Sequence, residues 1–240
     1  MMEAVDDPAD RPAPGPLTLV QEFLNAPTEE PTPEDLQLGD EMRRLAAAGE
    51  SQAALAARFG VSQQLVSAAL RERRLAGPPG VSLATPATTA AWLREHGFEL
   101  DQGLSEIDHQ KVRRLRDALH ALTMANNGAD LPHAALTSLN AVAAETRLGF
   151  MFTPDTTCQL GPTSAGAGRF IEAILLTVYE AQREGTWPRL KACPADRCQH
   201  VFYDSSKNRT ATWCSMAICG NRAKVRNYQE RRRTLARRSR

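Results

Sequence analysis

No stretch of this chain approaches 18 consecutive apolar residues, which excludes an ordinary membrane-spanning helix. The N-terminus, MMEAVDDPADRPAPGP, lacks the basic and apolar regions of a secretory signal and is instead acidic and Pro-rich. There is no phosphate-binding loop and no HExxH motif, and His96, His109, His120 and His133 are scattered without nucleophile–base spacing. An enzyme therefore has no residue constellation behind it. No internal repeat is visible. Cysteine is scarce, with five in 240 residues. These absences predict a cytoplasmic protein that is not an enzyme, in a compartment where thiols stay reduced.

What is present is concentrated. Cys193, Cys198, Cys214 and Cys219 form two Cys-x4-Cys pairs separated by fifteen residues, while Cys158 stands alone. Two short-spaced pairs across a mid-length loop suit one closed, structural Zn²⁺ site with four thiolates. A module of this size does not fold on apolar burial alone, and its ion would supply on the order of 10 kcal/mol. The competing readings are unmetallated core thiols, or His200 in place of one cysteine.

Charge is equally uneven. The formal net charge of +1 conceals +11 over residues 189–240 and −10 over residues 1–188. A basic end on an acidic body points to nucleic acid, or to docking on an acidic partner, the same chain's body included.

The periodicity predicts a mainly α fold with small β elements (α+β). Residues 1–16 read as disordered, 17–24 (LTLVQEFL) as an apolar stretch that packs on a later domain, and 25–33 as a linker. Over 34–75, Pro33 at a first helical position, Gly49 as a stop, Ser51 as an N-cap and Gly60 as a breaker predict a helix-turn-helix. Its second helix would bury Ala54, Leu55 and Phe59. A third, recognition helix over 62–71 would carry Gln63, Gln64, Ser67 and Arg71 toward base edges, with packing or dimerisation as the alternative role.

Further helices are expected over 86–100, over 106–126 with Ile107, Val112, Leu115, Leu119 and Leu122 inward, over 132–145 capped near Asp130, and over 167–184. LGFMF (148–152) and TTCQL (156–160) predict a hairpin, and GPTSAGAG (161–168) a flexible connector. In the cysteine segment, Val201–Tyr203 reads as a strand faced by a segment beginning at Trp213, and the last cysteine pair opens onto a basic helix.

That segment resembles the CGNR zinc finger of bacteria. The run Cys219-Gly220-Asn221-Arg222 is present in full, with Phe-Tyr-Asp at 202–204, Lys-Asn-Arg at 207–209, Trp213-Cys214-Ser215-Met216 and Arg222-Ala-Lys-Val-Arg226 around it. The resemblance implies zinc and DNA binding, and a fusion behind an ABATE domain, a sensor-like module of stress-induced transcription regulators. Residues 81–187 are similar to that domain, and 17–26 to its opening segment; the helix-turn-helix stands as an insertion. The implied division is 1–16, 17–33, 34–75, 81–187, 188–229 and a basic tail 230–240.

The expected function is a zinc-dependent DNA-binding transcription regulator, with a protein-interaction module as the alternative. Asn221, Arg222, Lys224 and Arg226 are the DNA candidates of the finger, since Arg suits phosphate and guanine contacts. Arg222 has a second reading as a buttress of the knuckle carbonyls or of Trp213. A small-molecule ligand for the central domain and a homodimer stay open, and no membrane partner is expected.

Overall fold

The computed structural model describes residues 12–29, 33–61, 66, 69–70, 82–195 and 198–238. The expected recognition-helix residues Gln63, Gln64, Ser67 and Arg71 lie outside these. The class is α+β: among the described residues, helices alternate with two separate two-stranded antiparallel sheets.

The first helices are α1 (Leu17–Asn25), α2 (Pro33–Ala47) and α3 (Gln52–Phe59). They are followed by α4 (Pro86–Glu95), α5 (Glu106–Ala125) and α6 (His133–Ala143). The hairpin β1 (Leu148–Phe152) and β2 (Cys158–Pro162) leads to α7 (Gly166–Arg183). The ribbon β3 (Leu190–Ala192) and β4 (Val201–Tyr203) precedes a π-turn over Met216–Gly220 and the last helix, α8 (Asn221–Arg238).

Local chemistry accounts for the boundaries of three helices. Ser51 accepts the Ala54 N–H at the start of α3, and Gly60 closes that helix at φ 71°, where a side chain would be strained. Thr85 and Thr88 form a reciprocal capping box on α4, and Ser105 caps α5.

Among the described residues, two cores organise the chain. The larger collects Val20, Phe23 and Leu24 of α1 with Trp92 and Leu93 of α4, Val112, Leu115 and Leu119 of α5, and Phe170, Ile171 and Ile174 of α7. Phe23 meets Phe170 edge-on at 4.9 Å between ring centroids, the favoured geometry for such a pair. The stretch LTLVQEFL thus packs on the later body as its composition implied. The smaller core joins Met42, Leu55, Ala56, Val66 and Ala69 to Cys193, Phe202, Cys214, Ile218 and Cys219.

The β3–β4 ribbon is the seam between the cores. Its register pairs Leu190 with Tyr203, Lys191 with Phe202, and Ala192 with Val201. Side chains alternate across a strand. Leu190, Ala192, Val201 and Tyr203 therefore join the larger core, while Phe202 joins the smaller.

Several expectations are corrected. Ile107 is 68 % exposed rather than inward; five residues from Val112, it lies about 140° around the helix, and His109 occupies the buried position instead. Ala54 is exposed and Ala56 buried, because α3 turns Leu55 and Ala56 to the cysteine module. Pro132, not Asp130, precedes α6 and provides no side-chain cap. Gly161 and Pro162 belong to β2, and residues 166–168 to α7, so little of 161–168 is a connector. The strand at Val201–Tyr203 pairs with β3, not with a segment from Trp213.

The β1–β2 hairpin stands out from the body, with Phe150 77 % and Phe152 76 % exposed. It is rooted by Glu172 of α7. This buried carboxylate accepts N–H bonds from Arg147 (2.8 Å), Thr163 (3.0 Å) and Ser164 (3.0 Å), and a bond from the Ser164 hydroxyl. Burial alone would raise its pKa, but these donors hold it below the ordinary value of 4.5. Its contribution is therefore complete above pH 4.5 and is lost as pH falls through the lower folded value. Glu172→Ala strands the Arg147 and Ser164 amides, while Thr163 N–H keeps Arg147 O as an acceptor at 3.1 Å, and is expected to cost about 3 kcal/mol, read as a lower urea midpoint at unchanged slope.

Candidate metal centre and nucleic-acid interface

Cys193 ends the β3 side of the ribbon, where its N–H donates to His200 O at 2.9 Å and closes the first knuckle. Cys198 follows in that loop. Cys214 precedes the π-turn and Cys219 lies within it, where Gly220 N–H donates to Ser215 O at 3.0 Å. Gly220 is set by contact: a Cβ there would lie 3.2 Å from Trp213 Cδ1 and inside the Met216 thioether. Asn221 Nδ2 donates to Ala217 O at 3.0 Å and secures the turn where α8 begins.

The four sulfurs all lie within 4.8 Å of one another, and three of the four cysteines are buried. Cys198 Sγ is 3.4 Å from Cys214 Sγ, and Cys214 Sγ is 3.7 Å from Cys219 Sγ. A tetrahedral ion with metal–sulfur bonds of about 2.3 Å needs edges of about 3.8 Å, so the donor set fits.

Thiolates this close repel, and Cys193 drives the pKa of Cys214 and Cys219 up. All four are thiolates together only with a cation among them. His200 is not in the group; burial pushes its pKa down to about 4.

A polar frame holds the module to the body. Lys191 Nζ donates to Asp204 Oδ2 (2.7 Å), Arg209 O (2.8 Å) and Ala211 O (3.0 Å). Asp204 also accepts from Ala211 N at 3.0 Å and from the Ser206 amide and hydroxyl. Arg189 donates to Asp204 O and Ser206 O. Asn126 reaches Trp187 O and Leu190 O, and Asn127 reaches Ala192 O and Thr212 O. Asn25 of α1 exchanges two 2.8 Å bonds with the Val201 backbone, as a strand neighbour would.

Sequence reading missed Lys191, Asp204, Asn25, Asn126 and Asn127. The Asn-Asn-Gly run after α5 was the available signal, but it reads equally as a helix stop. Trp213 packs on the smaller core with the cysteines, while Tyr203 packs on the larger core.

The α8 candidates separate. Lys224 and Arg226 are exposed. Arg222 is exposed as well, but also donates to Ala56 O (3.3 Å) and Val61 O (3.1 Å), carbonyls at the end of α3 rather than in the knuckle. Among the described residues, no helix is long and apolar enough to cross a membrane.

A helical body carrying a four-cysteine finger is the class that this fold and site define. The chain belongs to the ABATE family, described as a putative stress-induced transcription regulator, whose model matches residues 61–181. Residues 189–232 match the CGNR zinc finger. These descriptions are of a regulator and a zinc finger rather than an enzyme. A comparison with curated proteins finds no match.

Proposed function

We propose that this chain is a zinc-dependent DNA-binding transcription regulator, with Cys193, Cys198, Cys214 and Cys219 as ligands of one structural Zn²⁺. The observation that carries the reading is the four-sulfur group at the foot of α8, whose next turns present Lys224, Arg226 and Arg232 to solvent. Asn221, Arg222, Lys224 and Arg226 are assigned to DNA, as are Gln63, Gln64, Ser67 and Arg71 of the 62–71 segment. A small-molecule ligand for the helical body and a homodimer belong to the proposal without assigned residues.

Phosphate neutralisation makes binding salt-dependent, with a slope of about 0.9 per phosphate contact. The Lys224→Ala, Arg226→Ala double variant is expected to lower that slope by about 2 and to weaken all sequences alike. A mobility-shift assay on genomic fragments, with unrelated competitor DNA and with or without chelator, tests the reading. Retardation no stronger than that of competitor would sink it.

The charge division favours one rival: the basic finger docks an acidic partner, which the −10 of residues 1–188 supplies even within the chain. Salt sensitivity is common to both readings, so selective retention of particular fragments is the discriminating outcome.

A further inference from the structure

We propose that Arg222 fastens the α2–α3 helix pair to the cysteine module, so that metal occupancy sets whether this pair is ordered. Three observations meet here. First, the pair has its apolar partner in the module: Met42, Leu55 and Ala56 share one core with Cys193, Phe202, Cys214, Ile218 and Cys219. Second, α3 has eight residues, too few to persist on helix propensity alone.

Third, the Arg222 guanidinium sits at the C-terminal end of α3, donating to Ala56 O and Val61 O beside the left-handed Gly60. A cation is favourable at that end and unfavourable at the N-terminus of its own helix α8. Its placement is thus explained by α3 rather than by α8.

Cys219 and Arg222 are three residues apart, joined through the end of the π-turn. An ion held by the four sulfurs fixes that turn, and the turn fixes the guanidinium. Without it, Cys193, Cys214 and Cys219 lose their common centre, and Leu55 and Ala56 lose the surface they bury.

Amide hydrogen exchange on the full chain, in its Zn²⁺-loaded and chelated forms, tests this. Residues 52–61 are expected to exchange on the order of tenfold faster after chelation, while α5 and α7 keep their protection. Arg222→Ala in the loaded chain is expected to speed the same residues by about as much, since hydrogen bonds to a charged group are lost. Its Co²⁺ thiolate absorption, at one ion per chain, should stay that of the unaltered protein, and Arg222→Lys should recover part of the protection.

Equal exchange at 52–61 with and without metal overturns the proposal, as does an Arg222→Ala chain that exchanges no faster. Loss of protection in α7 together with α3 also overturns it, because the effect is then global. The proposal rests on the metal reading, and failure to take up Co²⁺ or Zn²⁺ removes both. DNA binding is not part of the readout, so that reading stands or falls separately.

Discussion

The Cys214→Ser, Cys219→Ser double variant is expected to leave the segment from Cys193 to α8 without stable structure while the larger helical core survives. A structural zinc supplies on the order of 10 kcal/mol to a finger, comparable to the whole stability of a domain. Here the loss is aggravated because the sulfurs are themselves core atoms: Cys193, Cys214 and Cys219 are almost fully buried beside Phe202 and Ile218. Two hydroxyls in their place would be buried polar groups without a cation to hold.

The larger core, centred on Phe23, Trp92 and Phe170, has no cysteine in it and should keep its cooperative unfolding. Calorimetry on the purified variant, with metal content measured in parallel, checks both halves. A single unchanged transition, or full thermal stability after chelation, would contradict the assignment of the ion as structural.

Lys191→Met is expected to destabilise the protein by about 3–5 kcal/mol, because it leaves a buried carboxylate without its cation. The pair is deeply enclosed, with side chains 7 % and 0 % exposed for Lys191 and Asp204. Met preserves the length of the chain, so the loss is electrostatic and not a packing defect. Lys191 also ties the loop after β4 at Arg209 and Ala211, which carries the chain on to Cys214. Metal affinity should therefore fall together with stability.

The acid limb of the stability curve gives a second readout. Burial by itself raises the Asp204 pKa, yet the Lys191 ammonium and the Ser206 donors bring it below the ordinary 3.8. A depressed carboxyl contributes fully above its unfolded pKa and loses that contribution as pH falls through the folded value. In Lys191→Met the folded pKa rises, so the acid loss should begin at higher pH. A Lys191→Met, Asp204→Leu double variant should recover much of the deficit. If the single variant unfolds as the unaltered chain does, the pair has no role in holding the module.

Much of this arrangement was legible in order of appearance along the chain. The stops and caps at Gly49, Ser51 and Gly60 act within four residues of themselves, so their meaning is local. The cysteine pairs were legible for the same reason, since each knuckle closes over a few residues. Two of the errors fell where a helix face had to choose among surfaces. Ala54 against Ala56, and Ile107 against His109, are decided by what lies opposite, which periodicity does not identify.

The sequence by itself determined the helical class, the hairpin, the two cysteine pairs and the concentration of positive charge at one end. Each follows from short-range stereochemistry or from counting. Only the tertiary structure decided that Arg222 reaches 166 residues back to Ala56, and that Lys191 is neutralised inside the protein by Asp204. It also decided that the four sulfurs form part of the core under α3. A guanidinium, an ammonium and a thiol each satisfy many partners equally well. Which partner each one takes is set by the packing of distant elements that removes water from all the others.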